Sequence, residues 1–123
     1  KLKNKNITFL GVTFKPNTDD MREASSIPMI NYLNKKGSKI RYYDPSGRKK
    51  EFDKLKNVKF YSSISSACNK SDLIIIHTEW NAFKLLDFKK LVKKKNFKVF
   101  DMRNIYSHDK MRDLKIDYTS IGR

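Results

Sequence analysis

The sequence predicts an α/β fold, a three-layer α/β/α sandwich built on a mostly parallel sheet. Three observations carry that prediction. The run Leu73-Ile74-Ile75-Ile76-His77-Thr78 is apolar and β-branched for most of its length, as expected of a central parallel strand covered on both faces. Ile7-Thr8-Phe9-Leu10 is a second run of the same kind. Around them, short strand-like stretches alternate with amphipathic ones over short links, the pattern that sends helices to both faces of a parallel sheet. The 123 residues suit one domain with a modest core.

Taken in order, residues 1–6 are a polar lead-in and residues 7–13 the first strand. Pro16 helps to end it, because proline cannot donate to a ladder. A helix is predicted from Ser26 to about Lys36, with Ser25 or Ser26 as its cap and Pro28 tolerated in its first turn. Ile27, Ile30 and Leu33 give that helix an apolar face, and Lys35-Lys36-Gly37 is a stop signal. Residues 39–43 form the second strand, ending in Asp44-Pro45, and residues 47–56 a short basic helix. Residues 58–61 read as a short edge strand and residues 62–69 as a short helix with Ile64, Ala67 and Cys68 inward. After the strong strand, residues 81–95 hold one or two helical turns and then a basic helix around Phe88, Leu91 and Val92. Residues 98–100 form a strand, 108–114 a helix and 116–121 a last extended piece. The whole is a Rossmann-like alternation without repeat or linker.

The chain carries 28 Lys and Arg against 13 Asp and Glu, a formal charge of +15. Such an excess suits a polyanion: nucleic acid, an anionic membrane or a phosphorylated ligand. The lysines, however, are spread over predicted turns and helix faces, as at Lys49-Lys50, Lys89-Lys90 and Lys93-Lys94-Lys95. No element gathers Arg and aromatics, so compositional bias is the favoured reading and nucleic acid the weaker one. No apolar run approaches the ~18 residues of a membrane span. The basic start lacks the apolar stretch of a signal peptide. The one cysteine, Cys68, excludes an internal disulfide and fits a reducing compartment, so a cytoplasmic location is expected.

Three polar clusters fall at strand carboxyl ends, where open α/β sheets bind ligands. They are Phe14-Lys15 through Arg22, Thr78-Glu79-Trp80, and Asp101-Met102-Arg103. Sharing one rim, they would share a crevice, with Lys15 and Arg103 as clamps for a diphosphate and the following helix start as a further anion contact. Asp44 can bind a ribose diol or simply make a turn. Asp19-Asp20 suits an Asx-turn or an ion pair with Arg22 better than a metal, so no metal site is expected. His77 reads as a satisfied core histidine, His108 as a helix cap and Cys68 as a small core residue. There is no Ser-His-Asp or Cys-His set, no P-loop and no G-x-G-x-x-G, since Gly11 stands alone.

The stretch Gly11-Val12-Thr13-Phe14-Lys15-Pro16-Asn17-Thr18-Asp19-Asp20-Met21-Arg22-Glu23 resembles the signature of the UDP-glucose/GDP-mannose dehydrogenase family, at the start of its C-terminal nucleotide-sugar-binding domain. Tyr43-Asp44-Pro45, Thr78-Glu79-Trp80 and Asp101-Met102-Arg103-Asn104 follow in the family's order, and the ending Tyr118-Thr119-Ser120-Ile121-Gly122-Arg123 is similar too. The resemblance covers essentially the whole chain. It implies an NAD-dependent enzyme that oxidises UDP-glucose twice at C6, to UDP-glucuronate. Other family members act on UDP-N-acetylmannosamine or GDP-mannose. In the family, the main chain at the position of Phe14 and the side chains matching Lys15 and Arg103 contact the nucleotide-sugar. The residue matching Arg22 reaches towards NAD. The family's catalytic cysteine, glycine-rich NAD loop and dimer-forming helix precede this domain. Cys68 does not match that cysteine, so no catalytic residue is expected here. Residues 1–123 are thus expected to be the UDP-binding domain alone, inactive without an N-terminal NAD-binding domain and a central dimerisation domain. One departure is Ala24-Ser25, where Ser-Pro is common.

Overall fold

A computed structural model describes residues 1–121, which form six strands in one parallel sheet ordered β3-β2-β1-β4-β5-β6. The strands are β1 (Asn6–Leu10), β2 (Lys39–Tyr43), β3 (Val58–Phe60), β4 (Leu73–Ile76), β5 (Lys98–Asp101) and β6 (Asp117–Ser120). Four helices connect them: α1 (Ser26–Lys35), α2 (Ile64–Cys68), α3 (Phe88–Val92) and α4 (His108–Asp113). The parallel α/β/α expectation holds, and every strand pairing is parallel rather than only most of them. The last two residues of the family-like ending, Gly122 and Arg123, lie outside the described residues.

The two long apolar runs take the middle of the sheet, with β1 and β4 as neighbours. Strand alternation then divides their side chains between two apolar layers. Ile7, Phe9 and Ile75 face a layer with Ile30 of α1, Met21, Ala24, Tyr42 and Phe52. Leu10, Ile74 and Ile76 face the other, with Cys68, Phe83, Phe88, Val92 and Met111. Thr8 also faces the second side. Its hydroxyl reaches Ala67 O at 2.6 Å and Ser71 Oγ at 2.5 Å, which satisfies it in the interior.

Several local expectations change. The first strand stops at Leu10 instead of running to Thr13. Gly11, at φ +81°, turns its N–H to Tyr43 O, and the Asp44 carboxylate takes the next two amides. The basic stretch 47–56 yields only a 3-10 turn, Lys50–Phe52, held by burial of Phe52. Lys49, far from being a free surface cation, is buried, with Nζ 2.6 Å from Ser46 Oγ and its amide on the Tyr42 hydroxyl. The predicted stop of α1 is realised in full. Gly37 is left-handed at φ +86°, Ser38 N–H reaches Leu33 O and Gly37 N–H reaches Asn34 O. The predicted serine cap is not realised, because both hydroxyls are used elsewhere: Ser26 Oγ donates to Val12 O and Ser25 Oγ pairs with His77. At α4 the cap is Ser107, whose hydroxyl accepts from Lys110 N–H, and not His108, which pairs with Ser120 Oγ.

Candidate functional site

The sheet order reverses direction between β1 and β4, and an open α/β sheet leaves a crevice outside the strand ends at such a point. The loops after β1, β4 and β5 all emerge there. The first is a closed excursion. Phe14 N–H donates to Asp20 O at 3.2 Å, so residues 15–19 form its tip, with Asn17 left-handed. The Thr13 hydroxyl donates to Lys15 O, and Met21 and Ala24 bury themselves to anchor the return. Gly11 is required at the loop's entrance: a Cβ there would lie 2.6 Å from Thr78 Cβ, in a backbone conformation L residues rarely adopt.

Arg103 ties the three loops together. Its Nε donates to His77 O at 2.8 Å, its Nη2 lies 3.4 Å from Phe14 O, and Glu79 Oε1 lies 3.6 Å from Nε. The Glu79 pair is partly exposed and adds little by itself. The carbonyl contacts matter more, since they aim the planar fork along the rim. Asp101 sets the backbone that carries it. One carboxylate oxygen accepts Arg103 N–H at 2.9 Å; the other accepts Ile105 N–H, Tyr106 N–H and the Tyr118 hydroxyl. Burial and the nearby Asp101 push the Tyr106 hydroxyl well above its usual range, so it stays protonated.

Beneath Arg103 sits His77, fully buried. Its Nε2 is 2.9 Å from Ser25 Oγ and its Nδ1 is 3.1 Å from Thr78 Oγ1, which in turn donates to Thr13 O at 2.8 Å. Burial first, and the Arg103 cation second, press its pKa down to about 4 against a weak opposing pull from Asp44. It is neutral at physiological pH, a satisfied core histidine as the sequence suggests. Cys68 is likewise buried, and desolvation lifts its thiol to about 12, too high for a nucleophile at neutral pH.

The predicted site residues are not all joined. Phe14 and Arg103 meet through a backbone carbonyl. Lys15 is exposed, and its ammonium makes no ion pair among the described residues. Arg22 lies at the far end of the loop with its side chain 89% exposed, held by a forked contact on Asp20, whose carboxyl it keeps below the usual range. Asp20 also accepts Arg22 N–H, the expected Asx-turn. The start of α1 offers an anion less than expected: Pro28 has no amide proton, and Ile27 and Met29 already donate to Ala24 O and Ser25 O. Asp44 makes a structural turn. Its two oxygens are occupied by the amides of Val12, Thr13 and Ser46 and by the Ser46 hydroxyl. A cavity of about 970 Å³ opens at the opposite rim, walled by lysines such as Lys5, Lys95 and Lys98, and contains none of the groups gathered around Arg103. No cluster of three His, Cys, Asp or Glu occurs among the described residues, and no helix is long and apolar enough to cross a membrane.

Comparison with known proteins agrees with this geometry. The UDP binding domain of the UDP-glucose/GDP-mannose dehydrogenase family matches residues 8–108. A UDP-glucose 6-dehydrogenase of Rhizobium meliloti is 36% identical over 125 residues, covering 99% of this chain and 28% of that protein. The chain thus spans little more than a quarter of the length of such relatives. Among solved structures, a UDP-glucose dehydrogenase from Pyrobaculum islandicum superposes with a TM-score of 0.72 at 27% identity, over 96% of this chain and 25% of that one. An NDP-N-acetyl-D-galactosaminuronic acid dehydrogenase from Methanosarcina mazei Go1 shares the fold at a TM-score of 0.85 and 23% identity, over 100% and 26%. The loop-bearing rim, the strand order and these matches together place the chain in the UDP-glucose/GDP-mannose dehydrogenase family, as its UDP-binding domain.

Proposed function

We propose that this chain holds the UDP moiety of a nucleotide-sugar for an NAD-dependent UDP-glucose 6-dehydrogenase. The observation that carries the reading is Arg103, fixed by two backbone carbonyls at the point where three loops converge. A guanidinium held in that way presents its remaining N–H groups to a diphosphate in a set direction. Lys15, exposed at the tip of the neighbouring loop, adds a mobile point charge. The Phe14 main chain sits between them. The relatives named UDP-glucose 6-dehydrogenase favour UDP-glucose over UDP-N-acetylmannosamine or GDP-mannose as the substrate.

In this proposal the oxidation is carried by parts of the protein outside these 123 residues, in an N-terminal NAD-binding domain and a central dimerisation domain of a cytoplasmic homo-oligomer. NAD supplies a hydride acceptor for the sugar C6. The residues here fit only a peripheral contact with it. They lack a glycine-rich turn, and Gly11 is pressed against Thr78, whereas Arg22 is free to exchange Asp20 for a phosphate. By itself the chain binds and orients, and catalyses nothing.

Titration of the domain with UDP and UDP-glucose, by calorimetry or by amide NMR, tests this. Saturable shifts at residues 14–22 and 103, weakened in Lys15→Ala and Arg103→Ala, are expected. Absence of perturbation at millimolar nucleotide would sink the reading. Affinity for unrelated duplexes with a steep salt dependence would favour the basic nucleic-acid alternative instead.

A further inference from the structure

We propose that Ser25 and His77 are positioning residues, which clamp both ends of the first crossover loop and hold it in register with Arg103. The inference rests on the nucleotide-binding reading for its purpose, though its geometry stands independently.

The directions of the hydrogen bonds can be derived. Thr78 has one hydroxyl proton, and Thr13 O at 2.8 Å can only accept it. Thr78 Oγ1 is therefore an acceptor towards His77 Nδ1, 3.1 Å away. The ring is neutral, so Nδ1 carries its single proton and Nε2 is left as an acceptor. Ser25 Oγ–H must then donate to Nε2. The result is a directed relay: Ser25 to His77, His77 to Thr78, Thr78 to the carbonyl of Thr13.

The relay spans the mouth of the loop. Thr13 is the residue before Phe14, whose carbonyl meets Arg103, and Ser25 lies three residues beyond Arg22. The carbonyl of His77 itself accepts Arg103 Nε–H. One buried residue thus uses its ring to join the two ends of the loop and its main chain to seat the cation. Ser25 stands at the N-cap of α1, yet its hydroxyl makes no cap bond. The hydroxyl is turned to His77 instead.

Nitrogen NMR of the imidazole and of Arg103 tests the relay without any ligand. The Nδ1–H tautomer is expected, with the Arg103 Nε–H resonance displaced in Ser25→Ala and restored in Ser25→Thr. An Nε2–H tautomer, or an Arg103 Nε–H unmoved in Ser25→Ala, overturns the inference. Ser25 is exposed, so neither variant threatens the core. In UDP titrations Ser25→Ala should bind roughly three- to tenfold more weakly, the value of one hydrogen bond, and Ser25→Thr like the parent. Equal affinity in Ser25→Ala also overturns it. If the parent fails to bind UDP, the nucleotide reading falls, and the tautomer and the Arg103 resonance decide the relay alone.

Discussion

Arg103 donates through Nε to the main-chain oxygen of His77, 26 residues earlier, and not primarily to a carboxylate. A guanidinium anchored on carbonyls keeps its full charge, because a carbonyl orients it without neutralising it. The other end reaches Phe14 O. Replacing Arg103 with Lys keeps the charge but loses the fork. Arg103→Lys is therefore expected to weaken UDP binding nearly as far as Arg103→Ala does, by roughly tenfold or more, given ~1.5–3 kcal/mol for hydrogen bonds to a charged group. Calorimetric titration of both variants checks this. Near-parental affinity in Arg103→Lys would show that charge alone suffices.

Asp101 is the residue on which that geometry depends. Its buried carboxylate accepts three backbone amides and the Tyr118 hydroxyl. Asp101→Asn puts an NH2 group where only acceptors are satisfied. The expected cost is on the order of 3 kcal/mol, read as a lowered urea midpoint. Hydrogen exchange should speed up first at Arg103, Ile105 and Tyr106. A uniform change across the sheet would contradict this local account.

The fold was legible because burial writes it directly into composition: β-branched runs at β1 and β4, and a cation-Gly stop after α1. Lys15 and Arg103 stood out as site candidates by position, as cations following strands, whereas Phe14 entered only through the family resemblance and by its main chain. The Ser25–His77 contact was not, because 52 residues separate the pair and neither neighbourhood announces the other. Asp44 stayed open between a ribose contact and a turn, and the role of Asp101 in holding the backbone went unread, for a related reason. An acid at a strand end suits a ligand as well as a backbone turn, and only the fold shows amides filling their oxygens. The serines before α1 fit the capping rule by sequence, but buried acceptors at Val12 and His77 compete for them and win.

Two glycines separate the effects of strain and of space. Gly11 and Gly47 are both left-handed, at φ +81° and +99°. A Cβ on Gly11 would meet Thr78 at 2.6 Å, whereas nothing lies within 4 Å of one on Gly47. Gly47→Ala should therefore cost only the backbone strain, about 1 kcal/mol. Gly11→Ala should cost at least about 2 kcal/mol more, since Thr78 is locked into the relay and cannot withdraw. Urea unfolding of both variants gives the difference directly. Equal midpoints would mean that Thr78 moves freely.

The depressed pKa of His77 makes stability depend on pH, and the sign follows from proton counting. An unfolded histidine titrates at its ordinary 6.5, whereas His77 in the fold holds off protons until about 4. Between those values the unfolded chain binds more protons, so stability rises with pH there. The full stability is present above about pH 6.5, and as pH falls towards 4 the loss grows to on the order of 3 kcal/mol. Most carboxylates titrate lower, so the upper part of the window reports mainly on histidine. Lowering the pH from about 7 to about 5 should remove about 2 kcal/mol of unfolding free energy by that linkage. Urea melts at those two values measure it, with the His77 ring followed by NMR to show that it remains neutral while the fold weakens. A flat stability over this range, or a ring that protonates near pH 6.5 in the folded protein, would mean that solvent reaches His77 and that the contact with Ser25 is open.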